Sequence, residues 1–120
     1  MISSVFSRYA IGYSAFRNDA FFKEISANHI FELGEKIIGD YEKKGAQFDV
    51  DFSDDALSLT IKGNTFLLNR QTPTRQLWLS SPISGSHKFD FDTDKGQWVD
   101  HENHGIELNG HISKEIESLL

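Results

Sequence analysis

The hydrophobic positions change rhythm after about a third of the chain and change back near its end. Phe22, Ile25, His29/Ile30, Leu33, Ile37 and Tyr41 recur at steps of three and four, which is the spacing of one helical face. This predicts an amphipathic helix of about 24 residues, with Asp19 as N-cap or first-turn acid and Lys43, Lys44 and Gly45 at its end. Gly34 and Gly39 each weaken such a helix by about 1 kcal/mol relative to Ala. They either allow close approach to a sheet or mark a bend.

After Gly45 the period falls to two. Phe48, Val50 and Phe52 alternate with Asp49 and Asp51, and Leu57, Leu59 and Ile61 alternate with Ser58, Thr60 and Lys62. Ser53 to Ala56 joins these two runs as a hairpin. Gly63-Asn64 is a turn signal in the less favoured order, and Thr65 to Asn69 follows as a third strand. Arg75 to Ser80 reads as a fourth strand, Lys88 to Asp92 as a fifth and Gln97 to Asp100 as a short sixth after the Asp94-Lys95-Gly96 turn. Ile106, Leu108, Ile112, Ile116 and Leu119 return to helical spacing. Short connections make the sheet antiparallel, and its apolar face needs the cover that two amphipathic helices supply. The predicted fold class is α+β: a two-layer sandwich with two helices on one face of a five- or six-stranded antiparallel sheet. The other sheet face is left open to solvent.

Composition narrows the function. The chain has 120 residues and no cysteine, which excludes a disulfide scaffold, a zinc finger, a cysteine-held iron–sulfur cluster and a thiol nucleophile. Ten Phe, two Trp and three Tyr predict an aromatic-rich core. No apolar run is long enough for a membrane span, and a net charge of −6 argues against a nucleic-acid binder. Residues 63–89 contain no acid but hold Arg70, Arg75 and Lys88, between two acidic stretches. Such asymmetry predicts two surfaces with different partners. Residues 1–18 are Ser-rich, carry Arg8 and Arg17 and lack acid, the composition of a matrix-type transit peptide with a cleavage site near Arg17. The folded domain is then expected over residues 19–120, in a mitochondrion or a mitochondrion-derived organelle.

On the fourth strand Trp78 alternates with Leu77 and Leu79, so the two leucines face the helices while Gln76, Trp78 and Ser80 face outward. A tryptophan left on an open face between polar neighbours is a typical interface anchor. Asn69 and Gln71 are expected beside Gln76 as an amide cluster, with Arg70, Arg75 and Lys88 supplying positive potential. Pro73 and Pro82, the two prolines, bracket the strand.

Residues 69–85, NRQTPTRQLWLSSPISG, resemble the signature of the frataxin family: Asn69, Arg70, Gln71-Thr72-Pro73, Gln76, Leu77, Trp78-Leu79-Ser80-Ser81-Pro82 and Gly85. Lys88-Phe89-Asp90, Trp98-Val99 and His104-Gly105 extend the resemblance, which covers about residues 20–120. It implies an accessory protein of iron–sulfur cluster assembly. Such a protein docks by its open sheet face on a complex of cysteine desulfurase and scaffold protein, accelerates sulfur transfer, and binds Fe2+ or Fe3+ weakly through acids of the first helix and strand. The alternative within the resemblance is a ferroxidase or iron store that oxidises ferrous iron, as a monomer or an iron-dependent oligomer. Some family members cover the gap between the helices with a tail. The chain ends at Leu120, and modest thermal stability is expected from that.

The candidate iron ligands are Glu24, Glu32, Glu35 and Asp40 on the helix and Asp49 and Asp51 on the first strand. Glu32 and Glu35 share a helix face, and oxygen donors suit a hard ion. Ala27, Asn28, Phe31, Ile38 and Gly39 interrupt the row, so any site there is weak and open. Asp90-Phe-Asp92-Thr-Asp94-Lys-Gly96 imitates the start of a calcium loop, but its glycine comes one place late and Phe–Asp alternation indicates a strand. His101 and His104, with Asp100 and Glu102, read as a solvated polar loop able to hold a metal. No Ser/His/Asp set, paired buried carboxylate, phosphate loop or cofactor fingerprint stands out in the sequence.

Overall fold

The computed structural model describes residues 18–45 and 47–120; residues 1–18, expected to be a transit peptide, lie outside them apart from Asn18. Helix α1 runs Asp19–Glu42, followed by strands β1 Phe48–Phe52, β2 Ala56–Ile61, β3 Asn64–Gln71, β4 Gln76–Ser81, β5 Gly85–Asp92 and β6 Gln97–Asp100, then helix α2 Leu108–Leu119. All six strands form one antiparallel sheet in the order of the chain. The expected two-layer α+β architecture is therefore the observed one, with six strands.

Helix α1 starts one residue earlier than its first acid suggests. Asn18 is the N-cap, its side-chain oxygen accepting the Phe21 N–H at 2.8 Å. Asp19 is then the first-turn acid. Phe22, Ile30, Leu33, Ile37 and Tyr41 bury one stripe of α1 against the inward residues of the strands. Leu57, Leu59, Ile61, Phe66, Leu68, Leu77, Leu79, Phe89 and Trp98 meet them, and α2 adds Leu108, Ile112 and Ile116. Trp98 is central: the Phe22 ring meets it edge-on at 6.2 Å and Phe91 lies 5.2 Å away.

The two helical glycines have different roles. A Cβ on Gly34 would stand 2.6 Å from the Phe52 ring, whereas a Cβ on Gly39 would meet nothing within 4 Å. Gly34 is the point where α1 crosses β1, and Gly39 is an exposed helical residue without packing. The β2–β3 turn also differs from its sequence signal. Its two central residues are Lys62 and Gly63, with φ of 50° and 80°, and Asn64 already pairs with Ile61 in the ladder. Two positive φ values make this the primed turn that suits the twist of a hairpin. The sheet edges differ as well. β6 is followed closely by the returning chain, where Val99 bridges Glu107 and the Asp100 N–H donates to Ile106. Among the described residues β1 pairs with β2 alone.

Candidate docking face and acidic rim

The face of the sheet turned away from the helices carries Ser58, Thr60, Leu67, Asn69, Gln71, Trp78, Ser80 and Lys88, each partly or fully exposed. The period-two reading of β4 is the observed one: Leu77 and Leu79 are buried under the helices, and Trp78 is half-buried on the open side. Trp78 is not loose there. Its indole N–H donates to Gln76 Oε1 at 2.9 Å, and Lys88 Nζ lies 4.7 Å from the ring centroid.

Gln76 is itself buried, and the group behind it explains why. Its Nε2 donates to Asp90 Oδ1 at 2.9 Å, and the other oxygen of Asp90 lies 2.6 Å from His101 Nδ1. Asp90 is 1% exposed, so its carboxylate depends on these two partners. The indole N–H of Trp78 can only donate. Gln76 must therefore turn its NH2 toward Asp90 and its oxygen toward Trp78, which fixes the indole. Next to this chain Gln71 Nε2 donates to Asn69 Oδ1 at 2.7 Å, and the ladder sets Asn69 opposite Trp78 and Gln71 opposite Gln76. Asn69, Gln71, Gln76 and Trp78 form one cluster, with Lys88 above and Ser80 exposed further along the strand.

The two arginines are elsewhere. Arg70 lies opposite Leu77 and shares its helix-facing parity; its Nη1 donates to the carbonyls of Lys23 and Asp54. Arg75 follows the 3-10 turn Thr72–Thr74 with φ of 51°, and its Nε donates to Asp19 Oδ1 at 2.9 Å. Both arginines tie β3 and β4 to the start of α1, and Lys88 alone of the three cations stands in the cluster.

The acids divide by position. Glu24, Glu32, Glu35 and Asp40 are exposed on α1, while Asp49 and Asp51 are exposed on the open face of β1. Asp40 is taken by Lys36 at 2.6 Å, and that hydrogen bond holds its carboxyl below the ordinary value. Glu24 lies eleven residues from Glu35, about 16 Å along a helix. Gly34 and Phe31 are the residues of α1 that meet β1, at Phe52, whereas Glu32 lies near His29 on the flank that faces α2. Among the described residues no three acidic or histidine side chains already enclose a metal-sized position. Exposed, separated carboxylates fit a weakly held, largely hydrated cation and no closed site.

The calcium-like run is spent on local structure. Asp92 Oδ1 accepts the N–H groups of Asp94 and Lys95, and Gly96, at φ 64°, returns its N–H to the Asp92 carbonyl. Asp90 points to Gln76. The loop after β6 is similar: Asp100 Oδ1 caps the N–H groups of Glu102 and Asn103. Burial alone would raise the Asp100 carboxyl, but these two donors and His87 together hold it below its ordinary value. His101 serves Asp90, and His104 is exposed.

One grouping escaped the sequence reading. His87 Nδ1 lies 3.0 Å from Asp100 Oδ2, and His87 Nε2 lies 2.9 Å from Ser84 Oγ. His111 of α2 reaches the same hydroxyl at 3.2 Å. The available signals were parity, since His87 shares the inward face of β5 with Phe89 and Phe91, and the His111/Glu115 spacing of four on α2.

Comparison with known proteins agrees with this geometry. The chain is 36% identical over 93 residues to the mitochondrial frataxin of Arabidopsis thaliana and 40% identical over 74 residues to that of Dictyostelium discoideum. These matches take in 77% and 60% of this chain. The chain spans 48% and 37% of the two relatives' length. Both relatives are mitochondrial, in agreement with the expected compartment. The frataxin of Psychromonas ingrahamii superposes with a TM-score of 0.67 at 28% identity, covering 82% of this chain and 88% of its own. A trimeric yeast frataxin complexed with ferrous superposes with a TM-score of 0.60 at 27% identity, covering 78% and 84%. The model of the frataxin-like domain matches residues 15–120. With that match spanning most of its length, and with the same fold in its solved neighbours, the chain belongs to the frataxin family.

Proposed function

We propose that this protein is an iron-binding accessory factor of iron–sulfur cluster assembly, which docks through its open sheet face on a cysteine desulfurase–scaffold complex and activates sulfur transfer. One observation carries the reading: Trp78 stands on the uncovered face, held by buried Gln76, which is backed by buried Asp90 and the exposed His101. Fixing an exposed aromatic before a partner arrives lowers the ordering cost of binding. The flanking amides of Asn69 and Gln71 offer donors and acceptors with no charge preference, and Lys88 adds a cation that suits an acidic partner. Iron is cargo in this reading, held loosely by Glu32, Glu35, Asp49 and Asp51. Residues 1–18 serve as the organelle-targeting segment ahead of the frataxin-like domain.

The test is Trp78→Ala in a desulfurase assay with reconstituted partners, with and without iron. Trp78 lies outside the buried core cluster. Its truncation should cost the fold less than the roughly 3–5 kcal/mol of a core aromatic. Loss of an interface anchor costs about 2 kcal/mol or more of binding, roughly thirtyfold in affinity. The expected result is a folded variant that binds iron normally and fails to activate. A folded variant that activates fully would refute docking by this face.

The second reading, a ferroxidase or iron store, draws on the ferrous-complexed trimeric yeast neighbour. It predicts iron-dependent oligomers and oxygen consumption with ferrous iron, both abolished by neutralising the rim acids and both indifferent to Trp78→Ala.

A further inference from the structure

We propose that His87, His111 and Glu115 form a binding site for a borderline divalent transition metal such as Zn2+, on the helix side of the sheet and separate from the acidic rim. Imidazole nitrogen with a carboxylate is the donor set for such ions, whereas the rim offers oxygen alone. Three observations place the donors together. His111 and Glu115 are four residues apart on α2, with Nε2 and Oε1 at 3.2 Å. The His87 and His111 rings lie 4.7 Å apart, centroid to centroid. Both rings direct Nε2 at one atom, Ser84 Oγ.

The surrounding groups orient these donors as ligands need to be oriented. His87 Nδ1 lies 3.0 Å from Asp100 Oδ2, so the ring donates its Nδ1 proton to that oxygen and Nε2 is left with its lone pair. A carboxylate behind a histidine is the usual support of a metal-ligating imidazole. Glu115 Oε1 accepts the Ser81 hydroxyl at 2.8 Å, and Ser81 Oγ in turn accepts the N–H groups of Ile83 and Ser84. The side chains of His87, His111 and Glu115 are 19%, 14% and 10% exposed, so they are shielded but bordered by exposed Ser84.

The protons fix what occupies the point of convergence now. Ser84 has one hydroxyl hydrogen and gives it to His87 Nε2. Its oxygen accepts from His111 Nε2–H, which also faces Glu115. Metal binding replaces this arrangement. Ser84 rotates toward solvent, the His111 proton moves to Nδ1, and both Nε2 lone pairs and the Glu115 carboxylate turn to the ion. No net proton is released from two neutral imidazoles.

The full chain is titrated with Zn2+ alone by calorimetry and by NMR of the histidine ring nitrogens. The site predicts one Zn2+ per chain, with the largest ring shifts at Nε2 of His87 and His111. His87→Gln and His111→Gln should each lower affinity at least tenfold, while Ser84→Ala leaves it unchanged or tighter. A variant with Glu32→Gln, Glu35→Gln, Asp49→Asn and Asp51→Asn should keep Zn2+ binding. Absence of stoichiometric uptake, unchanged affinity in both histidine variants, or shifts centred on His101 and His104 would each overturn the proposal. If a histidine variant fails to fold, the ring signals of the unaltered chain decide.

Discussion

Alanine at position 34 and alanine at position 39 should move stability in opposite directions. Both positions are glycines within α1, so both substitutions gain the same helix propensity, about 1 kcal/mol. They differ in space. At 39 the new methyl meets nothing within 4 Å, and the gain is realised in full. At 34 it would lie 2.6 Å from Phe52 Cδ1, 2.7 Å from Cε1 and 3.0 Å from Cγ. Cγ sits at the root of the ring, so a rotation about the ring axis does not clear it. Phe31 also packs edge-on against Phe52 at 5.7 Å. Relief therefore requires α1 and β1 to part, an overpacking cost of about 1–3 kcal/mol. Subtracting one variant's shift from the other's cancels propensity and leaves the clash. That difference is about 4–8 °C in melting temperature for each kcal/mol in a domain of this size. Thermal and urea melts followed by circular dichroism measure it. Equal stabilisation by both alanines would refute Gly34 as the seat of the helix on the sheet.

Three further outcomes are expected. His29 is buried against Asn109 at 2.8 Å, and burial holds its pKa below the ordinary 6.5 despite that bond and the nearby Glu107 and Glu32. Below pH 6.5 the unfolded chain therefore binds the proton first, so stability is lost as pH falls from 6.5 through the lowered folded value; melts across that window should slope less for His29→Gln. Lys62 holds a left-handed φ of 50° in the β2–β3 turn, where Asn is favoured, so Lys62→Asn should stabilise by up to about 1 kcal/mol in urea melts. Replacing Glu32, Glu35, Asp49 and Asp51 together by Gln or Asn should weaken iron binding and leave the melting curve cooperative; iron-induced NMR broadening centred instead on His101 and His104 would show the rim to be the wrong place.

Period and parity carried most of the fold. Alternation alone put Leu77 and Leu79 inward and Trp78 outward, because a strand has no other way to place neighbours. The same rule assigns Arg70 to the helix side, since it alternates with Asn69 and Gln71. Grouping the cations by potential alone left the face of Arg70 unassigned. Arg75 was not legible by parity, because it sits in a left-handed turn before the strand begins. The Gln76–Asp90–His101 chain and the His87–Ser84–His111 cluster were hidden for another reason. Each joins residues from separate elements, and their contact depends on lateral strand register and on where α2 lands, neither of which a one-dimensional pattern encodes.

Each strand lies beside its predecessor, so each ladder can close from its own turn at small entropic cost. Helix α1 meets β1, the next strand, where Gly34 crosses Phe52, but its first turns are tied far along the chain. Its ties to Arg70 and Arg75 span 47 and 56 residues. A chain threaded through a narrow translocation pore with its N-terminus leading would deliver α1 first. The stripe from Phe22 to Tyr41 would then be covered only in part, by β1 and β2, until β4 and the second helix had emerged. During that interval the start of the helix presents an apolar face still short of its full cover, and a holding chaperone in the receiving compartment would find its binding segment there. Substitutions that loosen the seat of α1 at Phe52 prolong the wait, and their cost should appear in the yield of imported, folded protein before it appears in the activity of the molecules that succeed.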